Sequence, residues 1–302
     1  KKKKKIIPSE MKVLIAVFLT LALVAAVTDE DIIAEVNAKQ SQWTAAPNQF
    51  TGMSIAEKRG YLGAFPLHNV GFPVEKPKFL SGLPTNFDSR TQWPKCVHGI
   101  LNQGQCGSCW SFGMTEALSD RFCIASKGSI NVVLSPEYVV DCDKTDYGCN
   151  GGYLTNAWNF AASTGTVSID CDPYTAGSGQ TSPCPNKCHD GSDLKFYKAK
   201  EVKSLAGIQG MQNAIYTDGP IETSFAVYED FFSYSGGIYK HTSGGLAGYH
   251  AVKVLGWGNQ SGTNFWIVAN SWGTSWGEQG YFKIEMGQCG FEDGPVAGQA
   301  AV

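Results

Sequence analysis

The stretch QGQCGSCWSFGMTEAL at residues 103–118 carries two cysteines, Cys106 and Cys109, at a spacing open to several chemistries. As a C-x-x-C pair they could form a redox dithiol or half of a zinc site, and either could serve in a structural disulfide. Cys109 has a further option. Ser108 stands as a helix N-cap, and Trp110, Met114, Ala117, Leu118 and Phe122 recur at three- or four-residue spacing until Gly128. That pattern predicts a buried helix with Cys109 as its first residue. There the helix dipole and free backbone N–H groups favour a thiolate, and the same N–H groups can hold the negative oxygen of an acyl-transfer intermediate. A thiol used this way needs a base, and the chain has five histidines: His68, His98, His189, His241 and His250. His250 opens a hydrophobic strand, a rigid element that can hold an imidazole against a neighbouring lobe.

The elements that must position these groups divide the chain. Between about Leu83 and Ser192 come the helical signals and nine of the ten cysteines. From about Lys195 the signal turns to β, with HAVKVLGWG (250–258), NFWIVAN (264–270) and GYFKIEMG (280–287) as apolar or alternating runs. A helical half before a sheet half predicts an α+β protein of two lobes, and a cleft between lobes is a common binding site. The 302 residues are 43% hydrophobic and 17% charged, which describes a globular protein. From residue 83 onward, 13 Lys and Arg stand against 20 Asp and Glu, and a body at −7 argues against nucleic-acid partners. There is no H-E-x-x-H, no phosphate-binding glycine loop and no internal repeat, so no cofactor and no metal is implied.

From Met11 the sequence MKVLIAVFLTLALVAAV reads as a secretory signal peptide over 11–26, cleaved near Ala26. Its apolar run, residues 13–27, is short of the roughly 20 residues that span a bilayer. Residues 1–10, KKKKKIIPSE, are read as an artefact upstream of the natural start. All ten cysteines (Cys96, Cys106, Cys109, Cys123, Cys142, Cys149, Cys171, Cys184, Cys188 and Cys289) follow residue 90, a disulfide framework in a secreted chain. Asn259-Gln260-Ser261 is the single glycosylation sequon. Residues 27–82 are cysteine-free. Thr28 to Asp31 make an N-cap with acids in the first turn, Ile32, Ile33, Val36 and Trp43 follow at helical spacing, and Ser54 with Glu57 forms a second capping box. Pro66, Pro73, Pro77 and Pro84 then break regular structure. Such a stretch before a cysteine-rich body reads as a removable pro-segment, with a permanent N-terminal arm as the alternative.

QGQCGSCW, followed by CNGG (149–152), YHAV (249–252) and NSWGTSWGEQGYF (270–282), resembles the papain family of cysteine peptidases. LPTNFDSRTQWPKC (83–96), NGGYLTNAWNF (150–160) and SFAVYEDF (224–231) are similar to its cathepsin B branch. The resemblance covers the chain after Leu83, and more weakly Val36, Asn37 and Trp43 before it. It implies a two-lobed fold with a helical lobe over about 83–192, a β-barrel-like lobe over about 193–302 and chain ends that cross over. It implies a monomer without cofactor that cuts peptides and proteins and is open to cystatin-like inhibitors. Its place is the secretory pathway, in a lysosome-like compartment or secreted, and its pro-segment lies reversed in the cleft as its own inhibitor. By the same resemblance Cys109 and His250 form a thiolate–imidazolium pair, Asn270 fixes the imidazole under the shield of Trp272, and Gln103 helps hold the oxyanion. Gly151 and Gly152 pair with substrate backbone. The S2 pocket falls to Tyr153, Leu154, Ser224, Ala251 and Gly294. The implied bridges are Cys96 with Cys123, Cys106 with Cys149, Cys142 with Cys184 and Cys171 with Cys188, leaving Cys289 as an unpaired buried thiol; spacing alone leaves the pairing open.

Two departures from cathepsin B carry consequences. Only DPYTAGSGQTSP separates Cys171 from Cys184, with no His or Cys, so the occluding loop that captures a substrate C-terminus is missing and endopeptidase behaviour is expected. His189 lies just outside this stretch. Gly294 stands where cathepsin B has an acid that receives arginine, which predicts an apolar or aromatic P2 residue, although Asp293 is adjacent. Against this reading stand a dithiol oxidoreductase, which needs Cys106 and Cys109 free together, and a disulfide-rich binding protein derived from a peptidase.

Overall fold

In the computed structural model, which describes residues 27–66, 72, 74–75 and 82–302, a reciprocal cap sets the first helix. The Thr28 hydroxyl accepts from the Asp31 N–H, and the Asp31 carboxylate accepts from the Thr28 N–H, opening α1 (Asp29–Lys39) with Ile32 and Val36 buried. Trp43 does not continue this helix. The Gln40 amide brackets residue 43, donating to the Trp43 carbonyl at 2.7 Å and accepting its N–H at 3.0 Å. That turn sends the chain into strand β1 (Trp43–Ala45), so Trp43 belongs to a strand, with its indole on the Lys240 carbonyl. Ser54 and Glu57 then box α2 (Ile55–Arg59). The signal segment 11–26, residues 1–10, His68, Pro73 and Pro77 lie outside the described residues.

A short strand β2 (Val74–Glu75) precedes the body, which starts with β3 (Phe87–Asp88) and α3 (Ser89–Gln92). The helical lobe is built on α4 (Cys109–Ala125), α5 (Pro136–Cys142) and α6 (Leu154–Ser163). Every residue of α4 from Cys109 through Cys123 is buried, so its polar residues, Ser111, Thr115, Glu116, Ser119 and Asp120 among them, face the interior rather than solvent. The β lobe follows with β4 (Ala199–Leu205), α7 (Gly207–Asp218), β5 (Ile221–Tyr228), β6 (Tyr234–Tyr239), β7 (Leu246–Gln260), β8 (Thr263–Ala269), β9 (Tyr281–Glu285) and β10 (Val296–Ala300). The strands form one sheet in the order β1-β6-β9-β8-β7-β5-β10-β4-β2, with β3 also on β7. This is the α+β, two-lobed architecture expected from the sequence, with the C-terminal strand β10 packed back on α4 and α6.

The central strand β7 is buried from His250 to Gly258, with α4 on one side and the β-lobe core on the other. That β-lobe core also takes in Ile32, Val36, Trp43, Phe50 and Tyr61 from the N-terminal segment, and Ala64 enters the core around α4 and α6. Residues 27–66 thus pack on both lobes. Disulfides join Cys96 to Cys123, Cys106 to Cys149, Cys142 to Cys184 and Cys171 to Cys188. Cys109 and Cys289 are free, and Cys289 is half-buried rather than sealed in the core.

Where β3 crosses β7, a side chain at Gly256 would fall on the Phe87 carbonyl. Gly256→Ala should therefore cost at least the roughly 1–3 kcal/mol typical of overpacking. Thermal unfolding of the two proteins side by side measures this, and an unchanged midpoint would contradict the packing described.

Candidate active site

Cys109 is the first residue of α4, and its sulfur accepts the Gly63 N–H at 3.3 Å, with the N–H groups of Ala251 and Trp110 also directed at it. Ser108 occupies the N-cap but makes no side-chain cap. Its hydroxyl instead meets the Tyr174 hydroxyl at 2.9 Å, and Tyr174 donates to the Gln103 carbonyl at 2.8 Å. Because the tyrosine proton is spent on Gln103, Ser108 is the donor of the pair. Tyr174 thus ties the start of the helix to the Gln103 loop, a link without a sequence signal.

The Gln103 amide is fully oriented. Its Oε1 accepts the Ser271 hydroxyl at 2.6 Å, which turns Nε2 toward the Cys106 carbonyl at 2.7 Å and the Tyr61 carbonyl at 3.0 Å. Ser271 is a second positioning residue that motif reading missed. His250 Nε2 lies 2.7 Å from Asn270 Oδ1, which fixes the ring and leaves Nδ1 with no hydrogen-bond partner among the described residues. The Trp272 ring lies 4.7 Å from the imidazole, centroid to centroid, and closes that bond off. A buried thiol at a helix N-terminus, an imidazole with one fixed and one free nitrogen, and a directed amide N–H together suit nucleophilic acyl transfer.

Residues 61–65 run through this site as main chain. Gly63 accepts from the Gly152 N–H at 2.8 Å, and Phe65 donates to the Gly152 carbonyl at 3.0 Å, a parallel bridge centred on Ala64. Ala64 donates to the Tyr249 carbonyl, and the Phe65 ring packs edge-on against Tyr147 and Tyr153. Both glycines on this contact are needed: a side chain at Gly63 would fall on the Gly107 carbonyl, and one at Gly152 would meet the Trp110 ring at 2.6 Å. Gly151, at φ 114°, makes the turn that presents Gly152.

Beside this strand a cavity of about 180 Å³ is lined by Pro66, Ser224, Tyr249, Cys289, Asp293 and Gly294, among others. Ser224 and Gly294 are therefore brought together, whereas Tyr153, Leu154 and Ala251 do not line it. Leu154 and Ala251 are core residues, and Tyr153 is taken up by Phe65. Asn259 ends the β7–β8 hairpin, its amide on Asn264. His98 binds Asp120, His241 stacks on Tyr228, and His189 lies by Asp172 and Glu137, all apart from the site; His68 lies outside the described residues. With Cys106 bridged to Cys149, the C-x-x-C pair has one free thiol and no dithiol.

Residues 83–299 match the Papain family cysteine protease family. Cathepsin B-like cysteine proteinase 4 of Caenorhabditis elegans is 39% identical, over 90% of this chain and 92% of that protein. Cathepsin B-like CP3 of Giardia intestinalis is 43% identical over 71% of this chain and 74% of its own length. Among solved structures, proCathepsin B S9 from Trypanosoma congolense matches with a TM-score of 0.84 at 30% identity, covering 90% of this chain and 97% of that one.

Burial in the intact chain pushes the Cys109 thiol, on which Gly63 is seated, up to about 12 and the His250 imidazole down to about 4, the latter despite the Asn270 bond. Between those values both groups are neutral while the segment is docked. A histidine depressed by docking loses docking free energy as pH falls from its ordinary value near 6.5 toward about 4. Acid should therefore loosen the segment. Iodoacetamide at pH 7 should leave Cys109 of the intact chain unlabelled, labelling should rise toward pH 4.5, and Gly63→Ala should label at both; labelling of the intact chain that is fast at pH 7 would refute the neutral, covered pair.

Proposed function

The chain belongs to the papain family of cysteine proteases, and from that premise we propose an endopeptidase in which Cys109 attacks and His250 moves the proton. The observation that carries this reading is the meeting of Cys109, the His250–Asn270 pair and the Gln103 amide around one strand of backbone. With that strand gone, the Cys109 proton passes to His250 Nδ1, the nitrogen left free by Asn270. The thiolate then adds to the carbonyl carbon of the scissile peptide. The Cys109 N–H and Gln103 Nε2 hold the oxygen as it becomes negative. His250 returns the proton to the departing amine, leaving a thioester, and then takes a proton from the water that hydrolyses it. Asn270 and Trp272 keep the ring in one tautomer throughout.

It is a cathepsin B-like cysteine protease made as a proform. We assign residues 27–82 as the pro-segment, removed near Leu83 after a signal peptide at 11–26 has led the chain into the secretory pathway, toward a lysosome-like compartment or secretion. The Tyr61 carbonyl on Gln103 Nε2 supports a role for this segment as occupant of the oxyanion site, and its parallel passage along Gly152 supports a reversed, uncleavable seating. Residues 172–183 fold down beside the cleft, with Gly177 accepting from Gln105 and Glu137 accepting from Thr175 and Ala176. That supports an open primed side, internal cleavage and weak release of C-terminal dipeptides. The S2 cavity, with Gly294 at its wall, favours an apolar P2 residue; Asp293 is the acid that would argue for arginine. Substrates are peptides and proteins, cystatin-like inhibitors would enter the same open cleft, and the enzyme acts as a monomer without cofactor. Asn259, the glycosylation sequon, is half-buried at its hairpin with its amide nitrogen donating to Asn264, a bond a glycan there would have to replace.

In the processed protein, iodoacetamide at pH 5.5 should modify Cys109 alone and abolish hydrolysis, since an ordinary thiol with a pKa of about 8.5 is protonated there. His250→Ala should lower kcat by about 10²–10⁴-fold. Peptides differing only in P2 should be cut faster with Leu than with Arg, and a blocked peptide should be cut internally before any dipeptide leaves its C-terminus. Faster cleavage of the peptide with arginine at P2, or rapid dipeptide release, would overturn the corresponding assignment.

A further inference from the structure

Behind the cleft, where the lobes meet, lies a buried ionic cluster that the proposed chemistry leaves unused. Glu116 and Asp120 stand one turn apart on α4, Lys253 follows His250 by three residues on β7, and Glu222 on β5 is the cross-strand partner of Lys253. Lys253 Nζ lies 2.9 Å from Asp120 Oδ2, with side chains 1% and 0% exposed. Asp120 Oδ1 accepts from the backbone N–H of His98 at 2.9 Å and lies 2.7 Å from its ring Nδ1, whose other nitrogen faces Asn131. Glu222 Oε2 accepts the Trp158 indole N–H, while Oε1 of Glu222 and Oε1 of Glu116 have no hydrogen-bond partner among the described residues. Tyr281 on β9 also acts on Lys253. One ammonium thus stands beside the carboxyls of Asp120 and Glu116, with Glu222 opposite it on the neighbouring strand; burial raises Glu116 to about 8 and holds Glu222 well above the usual carboxylate range.

Apolar packing has no direction and lets a helix slide a little on a strand, but a buried charge that loses its partner is left uncompensated. The pair therefore fixes where β7 lies along α4. The other end of α4 is Cys109, eleven residues before Asp120, and the rigid strand that bears Lys253 bears His250. The Ala251 N–H directed at the Cys109 sulfur gives a second point of registration. Two points on each rigid element leave the two reacting groups little relative freedom.

We propose that the Asp120–Lys253 ion pair is a positioning element for peptide hydrolysis: it holds β7 in register on α4 and so sets the approach of the His250 imidazole to the Cys109 sulfur. This rests on Cys109 and His250 being the reacting pair.

The test compares wild type, Lys253→Met, Lys253→Arg and Asp120→Asn, each folded as the full chain and freed of its pro-segment by added pepsin. The alkylation rate of Cys109 by iodoacetamide is followed from pH 4 to 9, together with kcat, KM and the thermal midpoint. Lys253→Met and Asp120→Asn should alkylate about tenfold or more slowly at pH 5.5, as expected if the thiol moves about one pKa unit or more toward an ordinary one. Their kcat should fall more than KM rises, and Lys253→Arg should return both close to wild type. Asp120→Asn keeps the residue's shape, and it decides the matter if Lys253→Met does not fold. Variants with a lower thermal midpoint but the wild-type alkylation profile and kcat would make the pair merely structural and overturn the proposal. If wild type itself does not label on Cys109, the reading of the reacting pair falls first and takes this one with it.

Discussion

A cysteine and a histidine can react together only if two separate pieces of backbone hold them within reach, and in the proposed mechanism that task falls to the packing of α4 on β7. Neither element is solvent-facing where it matters: α4 is buried all round over its first fifteen residues, and β7 is covered on both faces. Each is therefore held by its whole environment rather than by one edge. The two lobes do not simply flank the cleft; their cores converge on these two elements, and the C-terminal strand β10 returns across the boundary to join them. Supporting polar contacts follow the same plan. Tyr174 and Ser271 hold the Gln103 loop, Asn270 holds His250, and each of these restraints comes from an element anchored in a core.

The N-terminal segment exploits this geometry by behaving as part of the fold. Ile32, Val36, Trp43 and Phe50 enter the β-lobe core, and β1 extends the sheet through β6. Polar groups add direction, with Gln49 on the Trp272 carbonyl, Arg59 on the Ala247 carbonyl and Lys58 paired with Asp29. Such anchoring lets residues 61–65 span the cleft in an extended form. Covering the thiol and the imidazole removes the water that would stabilise their charged forms, so occlusion and electrostatic silencing have one cause.

Much of the architecture was legible in the chain. The buried helix beginning at Cys109 and the strands at 250–258, 264–270 and 280–287 were carried by periodicity and by Gly and Asn punctuation, and the caps at Thr28 and Ser54 by local chemistry. Trp43 was misread because its helical spacing was accidental and the turn before it is made by a side chain, Gln40, which no periodicity detects. The wall of the cavity at Gly294 was only partly legible: Asp293 adjoins Gly294 in sequence, but Pro66 and Tyr249 reach it from distant parts of the chain. Tyr174 and Ser271 are ordinary residues made important by position alone. The Asp120–Lys253 pair shows the same limit from another side, because charged letters inside apolar runs read as exposed until the partner is known.

The contacts that seal the cleft are made by main-chain atoms: the Tyr61 carbonyl, the Gly63 amide and carbonyl, the Ala64 amide and the Phe65 amide. Backbone groups are the same whatever side chains accompany them. That polar grip is indifferent to side-chain type, but the places around it are not: no side chain fits at Gly63, Tyr61 and Ala64 fill buried sites, and the Phe65 ring fills a gap between tyrosines. The seal is thus written in chain path, with a few letters chosen for size rather than for chemistry: no side chain at position 63, and small or aromatic ones at the sites beside it.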